Sequence, residues 1–406
     1  MPDASTKKPA LYVGLCGDAP RAAPARISLA GADRVDLGRA EARRIEREGA
    51  AIAVSLVDLR MSTRHARLLR GDGGWVLEDL QSKNGTVMGQ EKIARRALAD
   101  GDAFIVGHTV LVFRGDAHDD TDLDGAPAAP APGLATLSPE LAARFRELAD
   151  AALGAGAIEL AGEPGVGKAA AAHAVHAVSG RAGRLVAIAC AAAGDAELAE
   201  AAGAVGGTLL LDEVAELPPR AQLALRDRIR AGLGDVRLVT TASRDLDREV
   251  EAGRFDGALR GALRGHALAL PPLRRRREDL GLLIAAVLDR IAPERAVTFA
   301  PDALGELYAH DWPLNLRELE LSLTASLAAA GDGRIELSHM PVAVGSTEPL
   351  EDPRGFRAMT DDERALRDKI LVAITRHRGD LAGIGKELGR DPALILKLMR
   401  QFGIPH

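Results

Sequence analysis

Gly162, Gly165, Gly167 and Lys168 lie in the stretch GEPGVGK, which satisfies G-x-x-x-x-G-K between an apolar run, AIELAG, and a helix-forming run, KAAAAHAVHAVSG. In that setting backbone N–H groups, a helix N-terminus and a lysine can surround phosphate oxygens, with Lys168 reaching the β- and γ-phosphates of a nucleotide. Further on, GGTLLLDEVAELP (206–218) reads as an apolar strand delivering two adjacent carboxylates. Asp212 would hold a magnesium ion and Glu213 would orient an attacking water. The cofactors implied are ATP or ADP, with Mg2+. The residue after the lysine is Ala169, a methyl where a Ser or Thr hydroxyl would serve as a metal ligand.

The elements that must position these groups belong to a chain of 406 residues, enough for two or three domains. Hydrophobic residues make up 47% and charged residues 27%, the balance of a soluble globular protein. A net charge of -6 gives no overall attraction to nucleic acid, so any such contact must come from a local module. Cys16 and Cys190 are far apart and no apolar signal stretch precedes them. That predicts a reducing, cytoplasmic setting without disulfides. The longest apolar runs fall well short of the roughly 20 residues that span a bilayer, so no membrane segment is expected.

Short β-like runs separated by Gly and Asp turns fill residues 10–114 and predict a β-sandwich. Residues 115–136 are acidic and then Ala/Pro-rich, and read as a flexible tether. Alternating strand and helix over 137–272 predicts an α/β domain with a parallel sheet, and 273–343 reads as an α-helical lid. A second connection, 344–357, leads to a small all-α unit at 358–406. No Cys/His cluster has metal-ligand spacing. LRRRRED (273–279) reads as a solvated or nucleotide-adjacent face rather than a nucleic-acid patch.

Within 10–114, LGR (37–39), MSTRHARL (61–68), DLQSKNGTVMG (79–89) and LADGDAFIVG (98–107) occur in order. Together they resemble the forkhead-associated (FHA) domain, whose loops bind phosphothreonine. The resemblance implies that Arg39 and Ser62 contact the phosphate, that Ser82 and Arg64 or Lys83 assist, and that Asn84 holds the ligand's main chain. A guanidinium fork with hydroxyl donors suits that task. His65 is expected to buttress the loop from within. The competing reading of SKNGT alone is a plain hairpin turn.

GEPGVGK, GGTLLLDEVAELP, LPPLRRRREDL (270–280) and WPLNLRELE (312–320) together resemble the AAA+ domain of bacterial enhancer-binding proteins, ATP-driven activators of sigma-54 RNA polymerase. Lys168, Asp212 and Glu213 carry over directly, and Arg317 as the lid arginine that senses nucleotide. Several positions depart from the family. Ala169 lacks the hydroxyl, Ser243 replaces an Asn, and Asp256 and Ala262 stand where arginine fingers are expected. Arg260 or Arg264 could substitute only through a register shift. Between the strands RLVAIAC and GGTLLLDE only AAAGDAELAEAAGAV remains of the insertion whose loop grips the sigma factor. These departures predict a degenerate module that binds nucleotide rather than hydrolysing it usefully.

The last 45 or so residues resemble the Fis-type helix-turn-helix that closes such regulators. Its last helix offers Arg390, Lys397 and Arg400 for DNA, while Leu394, Ile395, Leu398 and Met399 suit the core of a dimerising unit instead. The partners implied are a phosphothreonine-containing protein, a Ser/Thr kinase, DNA, and further copies of this chain or an intact homologue. Two readings stay open: a bacterial transcription regulator with a phosphothreonine input, and a phosphothreonine-dependent adaptor that neither reads DNA nor burns ATP.

Overall fold

In AIAVSL the apolar side chains recur at every second residue, and the segment is a strand with Ile52, Val54 and Leu56 buried. This alternation builds a two-sheet sandwich in the computed structural model, which describes residues 8–341 together with Lys386 and Leu388. The strands are β1 (Ala10–Cys16), β2 (Ala25–Ser28), β3 (Arg34–Arg39), β4 (Arg44–Glu48), β5 (Ala51–Leu56), β6 (Ala66–Gly71), β7 (Gly74–Asp79), β8 (Thr86–Met88), β9 (Glu91–Ile93), β10 (Arg95–Ala97), β11 (Ala103–Val106), β12 (Thr109–Arg114) and β13 (Leu123–Asp124). One sheet runs β13-β2-β1-β12-β11-β8-β9 and the other β10-β7-β6-β3-β5-β4.

The segment 115–136, expected to be a free tether, is instead packed. Its acidic half adds β13 to the edge of β2. Asp119 accepts from Arg26 (2.7 Å), and Asp122 accepts from the Ser28 N–H (2.8 Å) and from Arg47 (2.7 Å). Its Ala/Pro half buries Ala131 and Leu134 in the next domain's core. Ion pairs and small side chains do the packing that its low apolar content argued against.

The α/β part follows with α1 (Pro139–Leu153), β14 (Ile158–Ala161), α2 (Lys168–Val178), β15 (Leu185–Ala189), α3 (Asp195–Ala199), β16 (Thr208–Asp212), α4 (Pro219–Ala231), β17 (Arg237–Ala242), α5 (Leu246–Glu251), α6 (Gly257–Leu263) and β18 (His266–Ala269). Its strands lie parallel in the order β15-β16-β17-β14-β18. TLLL in β16 is buried throughout, as a parallel strand covered by helices on both faces must be. The lid comprises α7 (Leu280–Ile291), β19 (Thr298–Phe299), α8 (Pro301–Ala309), α9 (Asn315–Ala330) and β20 (Arg334–Ile335). The connection at 344–357 and the helical unit at 358–406, with Arg390, Lys397 and Arg400, lie outside the described residues apart from Lys386 and Leu388.

The sandwich and the lid share a core. Leu11 and Val13 of β1 point between the two sheets, whereas Ala10, Tyr12 and Leu15 join Ile284, Leu304, Leu307 and Trp312 of the lid. Val110 and Val112 of β12 do the same. Gly14 and Gly281 bring β1 and α7 together backbone to backbone, and a Cβ at Gly281 would lie 1.7 Å from the Gly14 carbonyl oxygen. Beside this core, Arg114 donates from Nε to Glu278 (2.9 Å), and Thr136 Oγ1 and the Leu137 N–H donate to Asp279 (both 2.6 Å). Burial raises both carboxyls above the ordinary carboxylate range, against the opposing arginines.

Candidate functional site

Two groups of expected site residues assemble at separate places. At one end of the sandwich, β3 delivers Arg39 at its last position. The Arg39 N–H donates to the Ser62 carbonyl (3.1 Å) and its Nη1 to the Leu59 carbonyl (3.3 Å). Ser62 Oγ accepts from the Lys83 N–H (3.1 Å), and Asn84 Nδ2 donates to the Arg60 carbonyl (2.6 Å). Arg39, Arg64, Lys83 and Asn84 are exposed and Ser62 is half-buried, so donors from three loops open to solvent side by side.

Beneath them two buried side chains set the loop. Asp58, 4% exposed, accepts from the N–H groups of Arg60 (2.8 Å), Met61 (3.2 Å) and His108 (2.7 Å) and from Thr109 Oγ1 (2.8 Å). His65 is fully buried; its Nδ1 accepts from the Ser62 N–H (3.1 Å) and its Nε2 donates to the Gly85 carbonyl (3.2 Å). Those partners fix the neutral Nε2–H tautomer, and burial holds its pKa below the ordinary imidazole value.

Ser82 is placed differently from the expectation that it assists the phosphate. Its hydroxyl donates to Asp79 Oδ1 (2.7 Å) and accepts from the Gly85 N–H (2.9 Å), so its proton is committed to the turn. Burial alone would raise the Asp79 carboxyl, but hydrogen bonds from Ser82 and Thr86 outweigh it and hold it below the usual carboxylate range.

At the second place, β14 ends at the glycine loop and α2 begins at Lys168. Gly162, Gly165 and Gly167 have φ of 145°, 74° and 109°, the left-handed geometry that turns N–H groups inward. The Lys168 ammonium is 2.8 Å from Glu213 Oε1 and donates to Ser243 Oγ (2.7 Å) and to the Gly162 carbonyl (2.9 Å). Ser243 in turn donates from its N–H and Oγ to the two oxygens of Glu213 (both 2.7 Å). Asp212 Oδ1 accepts from Thr241 Oγ1 (2.6 Å). The loop and lysine fit a phosphate chain. The fit to Mg2+ is narrower, because Ala169 presents only a methyl and Asp212 already binds Thr241. Among the described residues no three His, Cys, Asp or Glu side chains cluster around a metal-sized space.

The lid reaches this loop through residues that the motif reading did not single out. Asn315, fully buried with φ of 54°, donates to Glu163 Oε2 (3.2 Å) and the Pro164 carbonyl (3.0 Å) and accepts from the Leu273 N–H (2.8 Å). Arg274 grips both oxygens of Glu163 (2.8 and 2.5 Å), and Arg276 Nη2 donates to the Val166 carbonyl (3.0 Å). The arginine run thus lies against the glycine loop, with Arg274 and Arg275 also exposed to solvent. Arg317 lies near by: a Cβ at Gly165 would sit 3.1 Å from its Cβ. Only the spacing of Asn315 before Arg317 could have signalled this tie.

Arg260 donates to Glu159 (2.7 Å) and to both oxygens of Asp247 (2.9 and 3.1 Å), and Arg264 also donates to Asp247 (3.0 Å). Hydrogen bonds from both arginines lower the Asp247 carboxyl to about 2. Asp256 caps α6 through the Leu259 N–H (2.6 Å), and Ala262 is half-buried in that helix. The stretch between β15 and β16 buries Cys190, Ala193, Leu198 and Ala204 in the α/β core.

Residues 35–107 match the FHA domain, residues 134–273 the sigma-54 interaction domain and residues 274–354 the AAA+ ATPase lid domain. The transcriptional regulatory protein ZraR of Escherichia coli (strain K12) is 35% identical over 211 residues, 48% of this chain and 47% of that protein. The Nif-specific regulatory protein of Azotobacter vinelandii is 30% identical over 214 residues, 49% of this chain and 41% of that one. The chain thus spans about half the length of the curated relatives it matches. NtrX from Brucella abortus, crystallised in complex with ADP, aligns with a TM-score of 0.47 at 23% identity over 66% of this chain and 68% of that one.

Proposed function

We propose that this chain, which joins an FHA domain to a sigma-54 interaction domain and an AAA+ lid in a sigma-54 activator-like architecture, is a transcription regulator that takes a phosphothreonine signal. The observation that carries the reading is the reader end: Arg39, Ser62 and Asn84 come together on loops braced by Asp58 and His65. A phosphothreonine-bearing protein, phosphorylated by a Ser/Thr kinase, is its input.

The P-loop module in this reading binds ATP or ADP without useful turnover. Arg260 and Arg264 are held by carboxylates of their own subunit, Ala169 offers no metal ligand, and the stretch that would carry a sigma-gripping loop is packed into the core. Regulation then works by occupying DNA sites or by co-assembly with an intact homologue. Titration of full-length protein with phosphothreonine peptides, wild type against Arg39→Ala, tests the input; equal affinities would sink it.

The packed stretch between β15 and β16, which leaves no sigma-contacting loop, is equally compatible with a second reading, an adaptor without DNA binding. Genome-wide and in vitro DNA occupancy with a salt titration separates the two. Specific, salt-sensitive sites support the regulator, and background binding supports the adaptor.

A further inference from the structure

The β11–β12 hairpin has its turn, at Gly107 and His108, beside Asp58 at the reader end. Its open end, at Gly101 and Arg114, faces the arginine run at the start of the lid. Between them lies an open cavity of about 470 Å³ lined by Arg114, Arg274, Arg275 and Arg277 against Asp100 and Asp311. It coincides with neither group of site residues described above.

The lining arginines differ in how far their charge is answered. Arg114 is fully engaged by Glu278, Asp100 and the Arg275 carbonyl. Arg274 is engaged by Glu163. Arg277 meets Asp311 only at 3.5 Å, and its buried Nε has no hydrogen-bond partner. Among the described residues no hydrogen bond or ion pair engages the exposed Arg275 guanidinium, whose backbone Arg114 pins at the rim. Arg275, and Arg277 beyond its long contact with Asp311, thus line the cavity with donors not taken up in hydrogen bonds, whereas Arg114 and Arg274 are already engaged. Planar guanidinium forks match phosphate oxygens two at a time, and the volume lies in the range of small-ligand sites, about 300–1,000 Å³.

We propose that this junction cavity binds a small polyanion bearing two or more phosphate groups, with Arg275 and Arg277 as its principal contacts. Because Arg274 lines the same cavity and holds Glu163 of the P-loop, the occupant competes for Arg274 and loosens the tie between lid and loop. The site therefore reports to the nucleotide pocket without overlapping it.

Inorganic tripolyphosphate is the probe, titrated calorimetrically into full-length protein carrying Arg39→Ala and Lys168→Ala, which disable the reader end and the P-loop. Binding that persists in this background and weakens at least tenfold on adding Arg275→Glu is the expected result; circular dichroism checks the fold of each variant. Arg277→Lys, which keeps the charge but removes the fork, weakens it further. ATP that displaces tripolyphosphate shows that a nucleotide's phosphates can serve as the source. ATP that fails to displace it, while tripolyphosphate still depends on Arg275, assigns the site to free polyphosphates. Loss of binding in the background variants, indifference to Arg275→Glu, or orthophosphate binding as tightly as tripolyphosphate overturns the proposal.

Discussion

Lys168 is folded onto Glu213, 2.8 Å from its Oε1, and Ser243 Oγ bridges the pair. The lysine that should meet phosphate is thereby neutralised within its own pocket. Glu213→Gln removes that competitor and the repulsion between carboxylate and phosphate. ATP affinity is expected to rise about threefold to tenfold with no gain in turnover. Titration with a fluorescent nucleotide, paired with a phosphate-release assay, decides it; unchanged or weaker binding would count against this picture.

At the reader end, roles separate by exposure, Arg39 and Asn84 being open to solvent and Ser82 half-buried. Arg39→Ala and Asn84→Ala remove exposed donors, so each lowers phosphothreonine-peptide affinity about tenfold or more while leaving the fold intact. Ser82→Ala breaks the brace to Asp79 and Gly85 and destabilises the domain by about 1–2 kcal/mol. Urea unfolding beside the peptide titration tells the two roles apart. A stable Ser82→Ala with lost affinity would return Ser82 to the phosphate.

His65 gives the reader end a pH dependence of definite sign. Its folded pKa lies below the unfolded value of about 6.5. The neutral ring therefore contributes stability that is complete above about pH 6.5 and is lost as pH falls through the lowered folded value. The proton enters at Nδ1, the acceptor for the Ser62 N–H, so the loop holding Arg39 loosens as it does. NMR titration of the imidazole with stability measured from pH 7.5 to 5 tests this; a His65 that protonates above pH 6.5 would refute it.

Gly281→Ala and Gly261→Ala should move stability in opposite directions. Both glycines are helical, and alanine in a helix gains roughly 0.5–1 kcal/mol. Gly261 has open space around it and should show that gain, whereas a Cβ at Gly281 meets the Gly14 carbonyl oxygen. Overpacking there costs about 1–3 kcal/mol and outweighs the helical gain. Thermal unfolding measures both, and a stabilised Gly281→Ala would mean that the sandwich and the lid part without penalty.

The classes of the sandwich and of the α/β part, and the P-loop, were legible because alternating and continuous apolar runs have distinct periods and phosphate chemistry demands glycines and a lysine at fixed spacing. The packed segment at 115–136 was not, since Asp119 and Asp122 stabilise it through partners, Arg26 and Arg47, that lie remote in sequence. The shared core does carry a signal in the sequence. LYVGL and VLVF do not alternate, and near-continuous apolar strands in a sandwich announce that both faces are covered. Asn315 and Arg274 became meaningful only when the lid fell onto the loop, a juxtaposition that no local pattern encodes.

Because β1 is walled by the sandwich on one face and by the lid on the other, its residues answer to two neighbours at once. The FHA part is therefore not an interchangeable cartridge. Cut free near residue 115, it would bare Tyr12, Val110 and Val112 to water, and grafted onto another AAA+ lid it would lack a matching groove for the Gly14 carbonyl. Recombination can shuffle such a domain only together with the lid that completes it.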